Sequence, residues 1–393
     1  MTWPTVPIGH LVTIRGGGTP SRDNDAYFQG DIPWVTPKDM KSWEIFDSQI
    51  RITDEGVANS AAKIVPSNTV LLVVRSGILK HTVPVAINRR PVSMNQDMKS
   101  LECGINIAPD FLARFLKFSE PTILAWVRAT TADNFPINKI RELEIPLPSI
   151  DEQIRISGIL DQVGSLRAKR LKALSASEDL LQKQFTSAFL SHTASSWNEV
   201  SIADVSQSIR TGPFGSQLLH SEFVDYGIAV LGIDNAVKNE FSWGERRYIT
   251  EEKYRELSRY RVYPHDVIIT IMGTCGRAAI VPEDIPTAIT TKHLCSLTLD
   301  KSRCLPEYLH ACFLRHPLVL KQLGVKERGA VMPGLNMQII KETRFPLPPL
   351  DLQRAFAARV AEIDKLKALH RAHLAKLDDL FASLQHRAFR GEL

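Results

Sequence analysis

The stretch Ile145-Pro-Leu-Pro-Ser-Ile-Asp-Glu-Gln153 returns as Phe345-Pro-Leu-Pro-Pro-Leu-Asp-Leu-Gln353, displaced by 200 residues. The displacement then holds without a gap. Leu166 answers Leu366, Ala168 answers Ala368, and Leu174 answers Leu374. Asp179-Leu180 answers Asp379-Leu380, and Ala188-Phe189 answers Ala388-Phe389. Over residues 146–189, 12 of 44 positions are identical, and pairs such as Leu160/Val360 and Val163/Ile363 are like for like. Upstream the match is fainter, at offsets of 194 to 198 residues: Trp3 to Ile8 answers Trp197 to Ile202, Ile52-Thr-Asp-Glu55 answers Ile249-Thr-Glu-Glu252, and Pro109-Asp-Phe-Leu112 answers Pro306-Glu-Tyr-Leu309. Chance does not keep the order of so many blocks. The chain is one unit written twice, each copy a globular module followed by a helix.

Residues 151–190 and 351–390 contain no proline, and their apolar positions recur three and four apart. In the second stretch Leu374, Leu377, Phe381, Leu384 and Ala388 step 3-4-3-4. In the first, Ile156, Ile159, Val163 and Leu166 do the same, and Leu171, Leu174 and Leu181 resume the stripe after a shift. So narrow a stripe is a coiled-coil seam. A lone rod would leave it wet, so the two helices are expected to pack together, antiparallel, each roughly 60 Å long at 1.5 Å per residue. Ser149-Ile-Asp-Glu152 fits a capping box at the first helix start, whereas the second copy has Pro349 there and needs a different cap. Arg387 and Arg390 before Gly391 read as an ordinary helix ending.

The modules, residues 1–145 and 193–345, read as mixed α/β. Strands are expected at residues 69–74, 83–87, 266–271 and 277–281, which are rich in β-branched side chains, and helices at 109–118 and 306–314. The spacer helices then occupy 146–192 and 346–393.

Composition narrows the function. A chain of 393 residues with 44% hydrophobic and 23% charged residues is long enough for two or three cored domains, which excludes disorder and fibre. The longest apolar runs, near residues 70–74 and 267–272, are strand-sized, so no membrane span is expected. The start Met1-Thr-Trp-Pro-Thr-Val-Pro7 lacks a basic region followed by an apolar one, so no secretory signal is expected. Five cysteines without a Cys-x-x-Cys pair read as reduced thiols of a cytoplasmic protein, not as a disulfide frame or zinc site. The net charge of +5 is spread evenly along the chain, so composition alone does not choose the partner. No phosphate loop, Gly-x-Gly fingerprint, Asn/Asp-Pro-Pro-Tyr/Phe methylation motif, His-Glu-x-x-His or nucleophile elbow is present, so no catalysis is expected in this chain.

Two similar modules on rigid helices within one chain form a pseudo-dimer. Such an object suits a target with two separated half-sites, as symmetric DNA readers do with two subunits. Because the modules differ most in their irregular loops, the two half-sites should differ. Here the residues resemble a known family. Arg15-Gly-Gly-Gly-Thr-Pro-Ser21, Gly30-Asp-Ile-Pro-Trp-Val-Thr-Pro-Lys-Asp39 and Thr211-Gly-Pro-Phe-Gly-Ser216 resemble openings of target-recognition domains. The two Pro-Leu-Pro-x-x-Asp-x-Gln helix starts and the terminal Arg387-Ala-Phe-Arg-Gly-Glu-Leu393 resemble the helical spacers of the same family. The chain is similar, over its whole length, to the specificity subunit of a type I restriction–modification system.

That resemblance implies a mixed α/β fold with two target-recognition domains and two long antiparallel helices related by a pseudo-twofold. It implies that each domain reads a few base pairs of double-stranded DNA and that the helices set the unread spacer and dock two adenine methyltransferase subunits. Restriction/translocase subunits then join the complex. S-adenosylmethionine, ATP and magnesium belong to those partners, and this chain needs no cofactor. Two alternatives stay open: the specificity chain of a type IIB-like system, and an adaptor whose modules bind protein.

Base edges are read by Arg or Lys at guanine and Asn or Gln at adenine, and phosphates by cations, hydroxyls and backbone N–H groups. In the first module the candidates are Arg15, Thr19, Ser21, Arg22, Lys38, Arg75, Ser76, Lys80, Asn95 and Gln96. In the second they are Arg210, Ser216, Gln217, Arg246, Arg247, Arg277, Lys292, His293 and Arg328. The competing reading of each is a solvated charge or a turn hydroxyl. Gly16–Gly18 and the Gly212–Gly215 loop read as tight turns or phosphate cradles, and no lysine follows at nucleotide-loop spacing. Trp34, Trp43 and Trp243 read as packing residues or as platforms for a flipped base. Glu178, inside the first seam, reads as a partner to a docked subunit's cation or as a solvated position. The exposed sides of the helices are expected to carry few large apolar residues.

Overall fold

The computed structural model describes residues 3–128, 133–190, 197–324 and 335–393. It is a mixed α/β architecture in two compact units, Met1–Leu171 with Ala372–Leu393, and Lys172–Arg371. In chain order the first copy runs β1 (Thr5–Pro7), β2 (Val12–Gly16), β3 (Ile32–Val35), β4 (Glu44–Ile45), β5 (Arg51–Ile52) and α1 (Asp54–Ala58). It continues with β6 (Thr69–Val73), β7 (Val85–Asn88), β8 (Ser93–Met94), β9 (Met98–Cys103), α2 (Pro109–Phe118), α3 (Glu120–Arg128) and α4 (Ile137–Glu142). β10 (Glu144–Pro146) and the long helix α5 (Ile150–Phe189) close it.

The second copy follows this order except that, among the described residues, it lacks a counterpart of β4 and adds a short strand after its first helix. It runs β11 (Glu199–Ser201), β12 (Ser206–Thr211), β13 (Ile228–Leu231), β14 (Tyr248–Ile249), α6 (Glu251–Leu257), β15 (Arg261–Val262), β16 (Val267–Thr270) and β17 (Ala278–Ile280). Then follow β18 (Ala288–Thr290), β19 (Leu294–Leu299), α7 (Pro306–Arg315), α8 (Pro317–Gln322), α9 (Met337–Glu342), β20 (Arg344–Pro346) and α10 (Leu350–Ala388). The expected strands are β6, β7, β16 and β17, displaced by one or two residues at their ends. The helix expected at 109–118 is α2, and that at 306–314 is α7, one residue longer.

Both modules use one plan. The first has the sheets β2-β9-β6-β7-β4 and β5-β3-β8, the second β12-β19-β16-β17 and β14-β13-β18-β15. In each, two neighbouring strands of the second-named sheet run parallel, Trp34 opposite Ser93 and Val230 opposite Ile289. A short antiparallel pair, β1 with β10 and β11 with β20, brings each module's ends together immediately before its long helix. The β6 strand Thr69–Val73 is buried along its whole length, as an apolar β-branched run between two covered faces should be.

Each unit also holds a piece of both long helices. In the first, Arg155 donates to the Leu393 carbonyl and Arg167 Nε donates to Asp378 Oδ1 at 2.6 Å. In the second, Lys367 pairs with Glu178, and Arg359 donates to Gln184. Within each unit numbers rise along α5 as they fall along α10, so the segments are antiparallel. The pairs Arg167–Asp378 and Lys367–Glu178 are one interaction built twice, with the copies exchanged. Glu178 is therefore taken by Lys367 and by Arg315, at 3.0 Å, of its own chain, which corrects both readings made of it. Ile156, Leu160, Ala388 and Phe389 join the core of the first unit, and Phe185, Phe189 and Phe356 that of the second.

The seam departs from its expected stripe at two positions. Leu166 is 44% exposed, because Arg167 faces α10 there, its guanidinium 4.8 Å from the Phe381 ring centroid, and Leu171 is 57% exposed. The expectation of few large apolar residues on the outer helix faces is also corrected. Ile154, Leu166, Leu171 and Leu380 are exposed in the first unit, and Leu180, Leu352, Leu366 and Leu369 in the second. The capping box forms by half: Ser149 Oγ accepts from the Glu152 N–H, while the Glu152 carboxylate turns to Arg155. At the far end Gly391 takes a φ of 76° and the Glu392 N–H donates to the Arg387 carbonyl, the six-to-one bond of a Schellman ending.

His316, at the start of α8, is buried edge-on to Phe185 with ring centroids 6.2 Å apart, and neither ring nitrogen has a hydrogen-bond partner among the described residues. Burial holds its pKa below the ordinary value, partly opposed by Glu199. The unfolded chain therefore binds the proton more readily, so this stabilisation is complete above the unfolded value near 6.5 and is lost as pH falls. Thermal unfolding of His316→Leu from pH 8 to 5.5 should show a shallower acid decline than the parent. An equal slope would remove His316 from the account. Among the described residues no helix is long and apolar enough to cross a membrane, and no group of three His, Cys, Asp or Glu side chains could hold a metal.

Candidate nucleic-acid interface

One junction recurs in both modules. In the first, Gly17 and Gly18 follow β2 and lie against the turn between β8 and β9. The Gly18 N–H donates to Met94 O at 2.9 Å, and the Asn95 N–H donates to Val35 O at 3.0 Å. A Cβ on Gly17 would stand 2.1 Å from Asn95 O and 2.3 Å from Met94 O. In the second, Gly212 follows β12 and meets the turn between β18 and β19. Its Cβ would stand 2.3 Å from Thr290 O, and the Thr291 N–H donates to Leu231 O at 2.9 Å. The backbone of Gly17 and Gly212 has no left-handed φ. These glycines are close-approach residues, needed for space and not for a left-handed turn. Gly215, with a φ of 60° and open space around it, is the one that makes a turn.

Around the first junction several candidates converge. Thr19 Oγ1 donates to Gln96 Oε1. Arg75 Nε donates to Asp97 Oδ1 at 2.6 Å, and Asn95 Nδ2 donates to Asp97 Oδ2 at 3.0 Å. Asp97, which sequence reasoning passed over, is the residue that orients Arg75 and Asn95. Lys80 reaches Asp133 at 3.4 Å, and the Ser76 N–H donates to the Asp133 carbonyl at 3.0 Å. Arg15 on β2 pairs with Glu102 across the strand pair at 2.8 Å. Ser21, Arg22 and Lys38 are exposed. Ser21 is 3.4 Å from Asp23 in a local turn, and the Lys38 N–H donates to Thr36 Oγ1 at 3.3 Å.

Around the second junction Arg246, Arg247, Lys292 and His293 line one cavity of about 450 Å³ with Pro213, Gly215, Asp225 and Glu245. Arg247 is held by Asp234. His293 Nδ1 lies 3.4 Å from Thr291 Oγ1. Burial, then the charges of Lys292 and Arg247, hold its imidazole pKa below the usual value. Ser216 and Gln217 continue the adjacent loop, with Gln217 Oε1 accepting from the Tyr260 hydroxyl at 2.8 Å. Arg277 is exposed at the start of β17. Arg210 is placed differently: its guanidinium donates to the buried Asp266 at 2.7 Å and to Thr298 Oγ1 at 2.8 Å, inside the strands of its sheet. Arg328 lies outside the described residues.

The tryptophans separate. Trp34 is buried and its indole N–H donates to Gly18 O at 2.9 Å, which ties it to the first junction as a packing residue. Trp43 is half-buried, with the Arg114 guanidinium 4.8 Å from its ring centroid. Trp243 stays exposed beside Phe241 and Arg246.

Thus one backbone frame carries Asn95-Gln96-Asp97 in one module, with Asn95 buried and Gln96 exposed, and Thr291-Lys292-His293 in the other. The family model described as Type I restriction modification DNA specificity domain matches residues 1–176 and 194–379, once over each copy. The chain belongs to this family. Over 186 residues it is 34% identical to the specificity subunit of the type I restriction enzyme EcoR124I/EcoR124II of Escherichia coli, across 47% of this chain and 46% of that protein. The chain thus spans about half the length of the first relatives it matches. It is 20% identical over 410 residues to the MjaVIII specificity subunit of Methanocaldococcus jannaschii, across 100% of this chain and 93% of that protein. Among solved structures, the type I restriction-modification S subunit from M. genitalium superposes with a TM-score of 0.61 at 16% identity, covering 98% of this chain and 96% of that one. At that identity the likeness speaks for the fold, the same mixed α/β plan in this family member.

Proposed function

We propose that this family member is the DNA-recognition subunit of a type I restriction–modification complex, each module reading one half of an asymmetric bipartite site. The observation that carries the reading is the junction built twice with different side chains. The same frame carries the exposed amide of Gln96 in one module and the exposed cation of Lys292 in the other, while Asn95 is buried with its amide bound to Asp97. Amides suit adenine and cations suit guanine or phosphate, so two modules of one fold select different half-sites. The chain contributes recognition and no catalysis. S-adenosylmethionine, ATP and magnesium act in the partner subunits.

The long helices set the unread spacer and dock two methyltransferase subunits. Exposed leucines support the docking. Leu166 and Leu380 lie at one level of the helix pair in the first unit, and Leu366 and Leu180 are their counterparts in the second, each displaced by 200 residues. Two equivalent apolar spots suit two copies of one partner.

The test is a methylome. The chain is co-expressed with its genomic-neighbour methyltransferase in a host free of adenine methylation. A split motif with a fixed gap, absent without this chain, is the expected result. An assembled complex that methylates nothing would favour the adaptor. A second outcome follows from the helices. Four residues inserted near Leu171 and four near Arg371 add about 6 Å to each helix. At roughly 3.4 Å per base pair the gap should grow by one or two pairs with both half-sites kept. An unchanged gap would refute the ruler.

A further inference from the structure

Resting on the DNA-reading proposal, we infer that Arg246, stacked on Trp243, reads a guanine in the half-site of the second module. The Arg246 guanidinium lies 4.9 Å from the Trp243 ring centroid. Trp243 meets Phe241 edge-on, centroids 5.4 Å apart, and Phe241 packs against the core cluster of Leu231, Ala236 and Val262. An arm of three side chains thus runs from core to solvent and ends in a guanidinium that has no ion pair among the described residues. Its neighbour Arg247 is held by Asp234, so the two adjacent arginines have been given different tasks.

Stacking fixes the plane of a guanidinium while leaving its five donors free, and the O6 and N7 acceptors of guanine match two of them. The lining of the cavity argues the same way. Arg246 shares it with Lys292 and His293 but also with Asp225 and Glu245. Two carboxylates repel a phosphate, whereas a base-pair edge carries donors as well as acceptors, and a carboxylate can accept from a cytosine amino group.

The full chain, assembled with its methyltransferase, is used to select from duplex pools in which one half-site is randomised and the other fixed. Arg246→Ala should lower the preference for guanine at one position of one half-site by roughly ten- to a hundredfold. Trp243→Ala should lower it several-fold, and Trp243→Phe should retain it because a π face remains. Unchanged preference at the remaining positions of the same half-site certifies that the second module is folded. Uniform weakening without altered base preference would make Arg246 a phosphate contact and overturn the inference. So would an unaltered profile. If the parent selects no sequence in either half, the DNA-reading proposal itself falls.

Discussion

Replacing Gln153 by leucine is expected to lower the melting temperature of the first unit by roughly 6–12 °C, and Gln353→Leu should do the same to the second. The reason is a buried amide with both donors and its oxygen engaged, twice. Gln153 is fully buried; its Oε1 accepts from the Ala108 N–H at 2.8 Å, and its Nε2 donates to Asn106 O at 3.0 Å and Pro148 O at 2.9 Å. Gln353 repeats the set with Leu305, Arg303 and Pro348. Each glutamine ties the turn before α2 or α7 to the start of its long helix. Leucine would leave three backbone groups without partners, a loss of about 3 kcal/mol at roughly 1 kcal/mol each. For a unit of this size about 2–4 °C accompany each kcal/mol.

Gln153→Glu sharpens the test. The carboxylate keeps the acceptor for Ala108 but faces two carbonyl oxygens, so the fold favours the protonated form and raises the folded pKa. Stability from such a group is present below the unfolded value and is lost as pH rises through the folded one. Gln153→Glu should therefore be more stable at pH 5 than at pH 8, relative to the parent, when followed by thermal unfolding. A variant with the opposite slope would mean that the amide donor is not what holds the turn.

These glutamines mark how far the sequence could be read. The repeat of Pro-Leu-Pro-x-x-Asp-x-Gln announced two helix starts, and the gapless displacement announced two long helices. What Gln153 binds lies some 45 residues upstream, across a turn with no periodicity to read. The seam shows a second limit. Spacing places Leu166 on the stripe, but the face that α10 covers at that level is taken by Arg167 over Phe381. Site residues were legible by type and not by company. Arg75, Asn95 and Asp97 are drawn together by turn geometry. Arg210 looks like its neighbours in sequence until the buried Asp266, 56 residues on, claims it.

The same limit gives the glycine experiment its force. Gly17→Ala and Gly212→Ala should each disable one half-site while leaving most of the fold intact. A Cβ at Gly17 would overlap the backbone of Met94 and Asn95, and one at Gly212 that of Thr290 and Thr291. Backbone pinned by its own hydrogen bonds cannot swing aside as a flexible side chain does, so the turn itself must move. Overpacking of this kind costs about 1–3 kcal/mol, and here the displaced atoms carry the proposed reading residues 95–97 and 291–293. Half-site selection with Gly17→Ala should lose the first half and keep the second, and Gly212→Ala the reverse. The control lies in α5, where Gly158 and Gly164 have no neighbour within 4 Å of an added Cβ. Alanine there should add roughly 0.5–1 kcal/mol of stability and leave both half-sites unchanged. If Gly17→Ala and Gly212→Ala behave like that control, the two junctions are not where this protein meets DNA.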